Sequence, residues 1–282
     1  MFNKKSALGR RTFLAFSSLA LAIAFTGASH IRQAGAATLD EIKKKGTITF
    51  GIVTDQPPFS FINGSGQNEG YDIELSKLMA KELGVEAAYV PITSANRIPQ
   101  LMTGKVDMLI CVMGVYPDRA KVVQYVAPYA EINAAIYGPK DGGVTKVEEL
   151  SGHSIAVEKG SSMDKAVTDA APKDATIQRF DDASSAVQAL LSGQVEYLGS
   201  YSHQFGGVEK AAPGKYAQKI VLSTEYEGIA VSPKSEELGK WAGEFMSKHK
   251  KDGTLNDLYQ KHFGAPFPEM PASMDGITFT MN

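Results

Sequence analysis

LMTGKVDMLICVMGVYPDRAKVVQY, residues 101–125, holds the pattern that decides the fold. An apolar helix end stops at Gly104, Val106 and Asp107 open an apolar strand over 106–112, and a Gly114, Tyr116, Pro117 turn delivers a single arginine, Arg119. LLSGQVE at 190–196 repeats the first half of this pattern: apolar helix, Gly stop, then Val and an acid opening a strand. Gly-stopped junctions of this kind are common in α/β chains, so the echo needs the order of the other elements beside it. A strand that ends in a Gly/Pro turn leaves backbone N–H groups free beside the guanidinium, whose planar fork holds a carboxylate through two hydrogen bonds. On this stretch alone, an ion pair with the adjacent Asp118 explains Arg119 equally well.

Working outward, 47–53 (TITFGIV) is short, β-branched and apolar, as a buried strand is. It runs into Thr54-Asp55-Gln56-Pro57-Pro58-Phe59, a loop stiffened by two prolines at the carboxyl end of that strand, where open α/β sheets collect ligands. A helix with Asp72 at its cap and Leu75, Leu78, Met79 and Leu83 inward follows, then a strand over 86–92. The next helix, 94–104, turns Ile98, Leu101 and Met102 inward. After an extended segment at 129–137 the order restarts, with a strand at 154–157, the turn Lys159-Gly160-Ser161-Ser162, a helix to 171, a strand at 176–180 and a helix capped by Asp182. A second extended crossing at 223–227 leads to a strand at 229–231 and to helices at 235–250, with Trp241 in the core, and 254–263. Two α/β lobes joined by short crossings are expected.

The N-terminus reads as an export signal. Lys4, Lys5, Arg10 and Arg11 precede an apolar run over 13–25, and Ala34-Gly35-Ala36 offers the small residues of a cleavage site near Ala36. Arg10-Arg11 resembles a twin-arginine motif with Gly9 at a usual Ser/Thr position, so both twin-arginine and general secretory export stay open. Residues 1–36 hold five of the 29 basic residues and none of the 31 acidic ones, so the mature protein is mildly acidic. That argues against nucleic acid and anionic membrane surfaces as partners. The single cysteine, Cys111, excludes a disulfide framework.

There is no phosphate loop, HExxH, GxSxG or Cys/His cluster, so no catalytic residue, metal or cofactor is expected. The remaining signals are loops at strand ends from both halves: residues 55–61, 114–119, 160–162 and 200–204. A cleft between lobes is their natural meeting place.

The order ITFGIVTDQPPFSF, GYDIELSKLMAKELGV, RIPQLMTGKVDMLI, DRAKVVQYVAPY, ELSGHSIAVEKGSS, FDDASSAVQALLSGQVE, YEGIAVSPK and DGTLNDLYQKHFG resembles the family 3 periplasmic solute-binding proteins, the amino-acid receptors of ABC importers. The resemblance covers about residues 40–265. It implies the type II periplasmic-binding-protein fold, with lobe one at 38–132 plus 224–282 and lobe two at 133–223, joined by a two-strand hinge. It implies a monomeric periplasmic receptor that closes on a small amino acid or related carboxylate and docks on a membrane permease. Arg119 then matches the arginine that binds the ligand carboxylate, with Val112, Gly114, Ser161 and Ser162 completing the grip. The chain departs from the family at Gly114, where Thr or Ser is usual, at Tyr201, where an Asp usually holds the ammonium, and at Gln56 and Ser94, where aromatic walls usually stand. Asp55 is the first substitute for the missing anion, with Glu158 and Glu227 behind it. Phe59 or Tyr116 is expected as an aromatic wall, and Tyr201 and Ser202 as neutral hydrogen-bonding groups. The rival reading is a dehydratase-like periplasmic enzyme on the same scaffold.

Overall fold

A computed structural model describes residues 36–274 and 276–281. The expected signal segment lies outside the described residues apart from Ala36. Thr38 caps α1 (Leu39–Lys45), its side chain and that of Glu41 answering each other's backbone N–H, and Gly46 ends the helix in the left-handed conformation. Then come β1 (Thr47–Ile52), the small ribbon β2 (Asp55–Gln56), β3 (Ser60–Ile62) and β4 (Asn68–Glu69), α2 (Tyr71–Leu83), β5 (Glu86–Pro91), α3 (Arg97–Met102), β6 (Met108–Leu109) and the single turn α4 (Pro117–Ala120). β7 (Gln124–Pro139) leads to a short 3-10 turn, Val147–Leu150, and to β8 (Ser154–Glu158), α5 (Ser162–Ala170), β9 (Thr176–Phe180), α6 (Ala183–Leu191), β10 (Tyr197–Tyr201) and α7 (Ser202–Ala211). β11 (Tyr216–Val231), α8 (Glu236–Lys251) and α9 (Thr254–Phe263) follow.

The strands form one eight-stranded sheet in the order β5-β1-β6-β11-β7-β10-β8-β9. On one side β1 runs parallel to β5 and β6, and on the other β8 runs parallel to β9 and β10. Between them β7 and β11, sixteen residues each, pair antiparallel from Gln124 opposite Val231 to Pro139 opposite Tyr216. These are the two extended crossings expected from the sequence, far longer than the segments 129–137 and 223–227 suggested. Their full length is not legible in the sequence because β7 is buried almost throughout and shows no alternation to read. The two parallel groups, each with its own helices, make the two lobes.

The echo at 101–107 and 190–196 has a shared structural purpose. Gly104 and Gly193 both take positive φ, 70° and 76°, to end their helices. Beyond them Asp107 accepts the Thr49 N–H at 2.8 Å and Glu196 accepts the Ser154 N–H at 3.1 Å. Thr49 belongs to β1 and Ser154 to β8, so in each lobe the acid that opens one strand pins the neighbouring parallel strand.

Three local expectations change. Asp72 is not a cap; Gly70 precedes α2, and Asp72 is buried in its first turn, where it accepts from Ser60 Oγ at 3.2 Å. α3 covers only 97–102, leaves Met102 38% exposed and turns Arg97 inward at 1%. Trp241 is only half-buried, packed on Phe245 at the margin of the core.

Asp107→Ala removes the acceptor of a charge-assisted bond to a half-buried N–H and should cost about 1–2 kcal/mol. Glu196→Ala, at a more exposed position, should cost less than about 1 kcal/mol. Urea denaturation midpoints of the two variants measure the difference.

Candidate functional site

The carboxyl ends of β1, β6, β8 and β10 meet where β7 and β11 cross. Val112, just beyond β6, has φ 49°, a left-handed backbone that a β-branched residue adopts at a cost of about 1–3 kcal/mol. Its N–H donates to Tyr129 Oη and its carbonyl accepts from Arg97 Nη1, both at 3.0 Å. Two residues on, the Gly114 N–H donates to Ser162 Oγ at 3.1 Å, while its carbonyl accepts from Arg119 Nη1 at 2.9 Å and from Tyr125 Oη at 2.8 Å. Arg119 Nη1 also donates to Ser162 Oγ at 2.8 Å and Nη2 to the Gly160 carbonyl at 3.4 Å. The Tyr116 ring lies under the guanidinium, 5.1 Å from its carbon. Ser161 caps α5, accepting the Asp164 N–H at 3.0 Å. Arg119, Gly114, Val112, Ser161 and Ser162 therefore converge, and the bonds of Arg119 go to this cluster, not to Asp118. A side chain at Gly114 would overlap Ser162 Oγ and come within 2.9 Å of the Tyr116 ring, which explains glycine at that position.

Sequence reasoning missed Arg97. Its guanidinium is buried between the lobes, with Nη1 donating to the Val112 carbonyl and, at 3.4 Å, to that of Cys111, and Nη2 reaching the Gly160 carbonyl at 3.5 Å. One signal was present: a cation at the first position of a helix opposes the helix dipole and calls for a reason. Three carboxyls surround the two arginines. Glu158 Oε2 accepts from Gln56 Nε2 at 3.0 Å, while Oε1 is buried without a partner. Glu225 Oε1 accepts from Tyr116 Oη at 2.8 Å, and its Oε2 is unpartnered. Glu227 is 0% exposed and neither oxygen has a partner. Burial pushes Glu158 up to about 7, and burial followed by the charge of Glu225 pushes Glu227 up to about 8.

The other candidates lie elsewhere. Asp55 is spent on α6, accepting the Ser184 N–H at 3.0 Å and its hydroxyl at 3.2 Å, at the border of two cavities of about 460 and 270 Å³. A carboxylate at a helix N-terminus is already satisfied, so Asp55 is a poor substitute for the missing anion. Phe59 is fully buried in an aromatic core with Tyr71, Tyr129, Phe263 and His203 and forms no wall; Tyr116 is the ring at the arginine. Tyr201 accepts the Met163 N–H at 2.9 Å and stacks on His203, while Ser202 is exposed at the start of α7. Among the described residues no cluster of His, Cys, Asp and Glu could hold a metal ion.

The model of the bacterial extracellular solute-binding proteins, family 3, matches residues 48–265. The chain belongs to that family. It is 31% identical over 229 residues to the ABC transporter glutamine-binding protein GlnH of Bacillus subtilis, covering 79% of this chain and 84% of that one. Among solved structures, the solute receptor for L-cysteine of Neisseria gonorrhoeae matches at TM-score 0.76 and 29% identity, over 80% of this chain and 94% of the receptor. An ancestral amino-acid-binding protein, AncCDT-1, described as a precursor of cyclohexadienyl dehydratase, matches at TM-score 0.74 and 34% identity, over 80% of this chain and all of its own.

The buried acids set a pH dependence. A carboxyl whose folded pKa lies above its unfolded value stabilises most below the unfolded value, and that contribution is lost until the pH passes the folded one. Asp72 and Glu227, both pushed to about 8, and Glu158 at about 7 start from 3.8 to 4.5. His203, pushed down to about 3 from 6.5 by burial, works in the opposite sense and costs stability only as the pH falls below about 6.5. The melting temperature of the unliganded protein should therefore fall between pH 6.5 and 8.5, and Glu227→Gln should reduce the fall. Scanning calorimetry across that range checks it, and an unchanged wild-type slope in the variant would contradict the burial of Glu227.

Proposed function

We propose that this family 3 solute-binding protein is the periplasmic receptor of an amino-acid ABC importer. It captures a small amino acid or related carboxylate between its lobes and presents the closed form to a membrane permease. The observation that carries the reading is the convergence of Arg119, the Gly114 N–H and Ser162, contributed by opposite sides of the β7–β11 crossing. A carboxylate entering there takes the guanidinium fork in exchange for the Gly114 carbonyl and Ser162 Oγ, with the N–H of Gly114 at its other edge. Lobe one is residues 38–132 plus 224–282 and lobe two 133–223, with the hinge where β7 and β11 pass between them. Ligand bridging both lobes favours the closed population by its extra contacts. Residues 1–36 act as the export signal, and the receptor works as a monomer. The amino-acid relatives support the ligand class, since the glutamine-binding and L-cysteine-binding proteins share the fold and much of the length of this chain.

A second reading, an enzyme on a small cyclic carboxylate, draws on the likeness to a dehydratase precursor and on carboxyls that burial keeps protonated near neutral pH. Product formation from cyclic carboxylates incubated with the protein would favour it.

A thermal-shift screen of the L-amino acids against the mature protein tests the receptor reading, because a ligand bound only by the folded form raises the melting temperature. Arg119→Ala should weaken the best ligand at least about 100-fold, as loss of one partner of a buried charge pair does, and leave the unliganded melting temperature within a few degrees. Unchanged affinity in Arg119→Ala would remove the carboxylate anchor.

A further inference from the structure

The position that usually carries the ammonium-binding acid is Tyr201, whose hydroxyl is occupied by the Met163 N–H. An amino acid gripped at Arg119 still brings an ammonium that needs an anion once water is excluded. Because the ammonium and carboxylate share one carbon, that anion must stand within a few ångströms of the carboxylate grip. Glu227 meets this requirement. It forms an isolated antiparallel bridge with Gly114, the residue whose carbonyl and N–H hold Arg119 and Ser162. Residues 225 and 227 lie on the same face of β11, and Glu225 is tied to Tyr116, the ring under Arg119. Both Glu227 oxygens are buried and without a partner, whereas one oxygen of Glu158 is taken by Gln56 and both of Asp55's bonds go to α6.

The charges around the crossing fit this. Two cations, the buried Arg97 and the half-buried Arg119, stand against three carboxyls, Glu158, Glu225 and Glu227. A ligand carboxylate meets the arginines, and an ammonium beside it meets the carboxyl whose two oxygens have no other partner. We infer that Glu227, backed by Glu225, is the counter-ion of the ligand's α-ammonium, so that this receptor selects amino acids over the same molecules without the amine. The inference rests on the receptor reading above. Around Glu227 stand Glu225 on its own strand, Arg97 from α3, Arg119 from α4, Asp72 from α2 and the phenols of Tyr129 and Tyr201. Those phenols are pushed upward by burial and stay neutral, so the incoming ammonium replaces a proton on Glu227 and binding releases that proton.

The test is calorimetric titration of the mature protein with L-glutamine and L-cysteine, extended to the best amino acid of the screen, each beside its des-amino analogue, glutaramate and 3-mercaptopropionate for the first two. Wild type should bind the amino acid at least about 30-fold more tightly than the analogue and release close to one proton, read from buffers of different ionisation enthalpy. Glu227→Gln, nearly isosteric, should lose most of that preference and the proton release while keeping its affinity for the analogue within about 3-fold. Equal loss for both ligands in Glu227→Gln, or loss of the preference in Glu158→Gln instead, overturns the assignment and leaves the receptor reading standing wherever Arg119→Ala still abolishes binding. If wild type binds the analogues but no amino acid, the assignment falls alone; if it binds neither, the receptor reading falls with it.

Discussion

The pairing of β7 with β11 is the constraint on which the rest depends. Both strands run past the edge of one parallel group and continue beside the other, so every residue at their crossing belongs to neither lobe alone. The register of β11 against β7 slips at four places, two on either side of the crossing near Thr224, and such bulges let a strand bend without losing its ladder. Gly228 sits at one of them, and a side chain there would meet the Tyr125 ring at 2.6 Å, the ring whose hydroxyl holds the Gly114 carbonyl. The crossing and the arginine turn are thus fitted to each other through Tyr125.

Burying charge at such a crossing needs donors and acceptors that do not move. Strand ends supply them: the carbonyls of Cys111, Val112, Gly114 and Gly160 point at two guanidiniums because no ladder partner claims them there. The left-handed Val112 fits this picture, since its conformation aims a carbonyl at Arg97 while its N–H finds Tyr129. Local strain of about 1–3 kcal/mol is tolerable where buried cations need fixed acceptors. The carboxyls are treated differently. Glu225 and Glu227 keep unpartnered oxygens, and burial pushes both carboxyls upward, Glu227 to about 8, so the arginines dominate the charge of the unliganded site.

Much of this was legible before any coordinates. Periodicity located α9 to the residue and α6 with its Asp182 cap, because amphipathic faces and caps are local features. The Gly104 and Gly193 echo announced two related lobes, and the motif around Arg119 pointed to the strand-end turn where Gly114 and Ser162 meet the guanidinium. Arg97 was hidden because the side a short helix buries is set by what packs on it, and the stripe read from Ile98, Leu101 and Met102 left Arg97 off the inward face. Asp55 misled for the opposite reason. It lies on the expected loop, yet the N-terminus of α6, 129 residues away in sequence, claims its carboxylate. Phe59 likewise sits on the right loop but packs with rings from α2, β7 and α9 that only the folded chain assembles.

Tyr201 shows why a missing residue type is a weaker clue than a satisfied one. Read as a departure, it removed the expected anion and left the ligand's amine without an account. In the fold its hydroxyl closes the first turn of α5 by accepting the Met163 N–H, and its ring supports His203, so position 201 has become part of the lobe itself. The counter-ion proposed at Glu227 changes what ligand binding does mechanically. Glu227 is bridged directly to Gly114, so it and Arg119 stand on the same side of the cleft and can hold both ends of an amino acid before closure. Closure then rests on what the other lobe adds, chiefly Ser162 at the arginine.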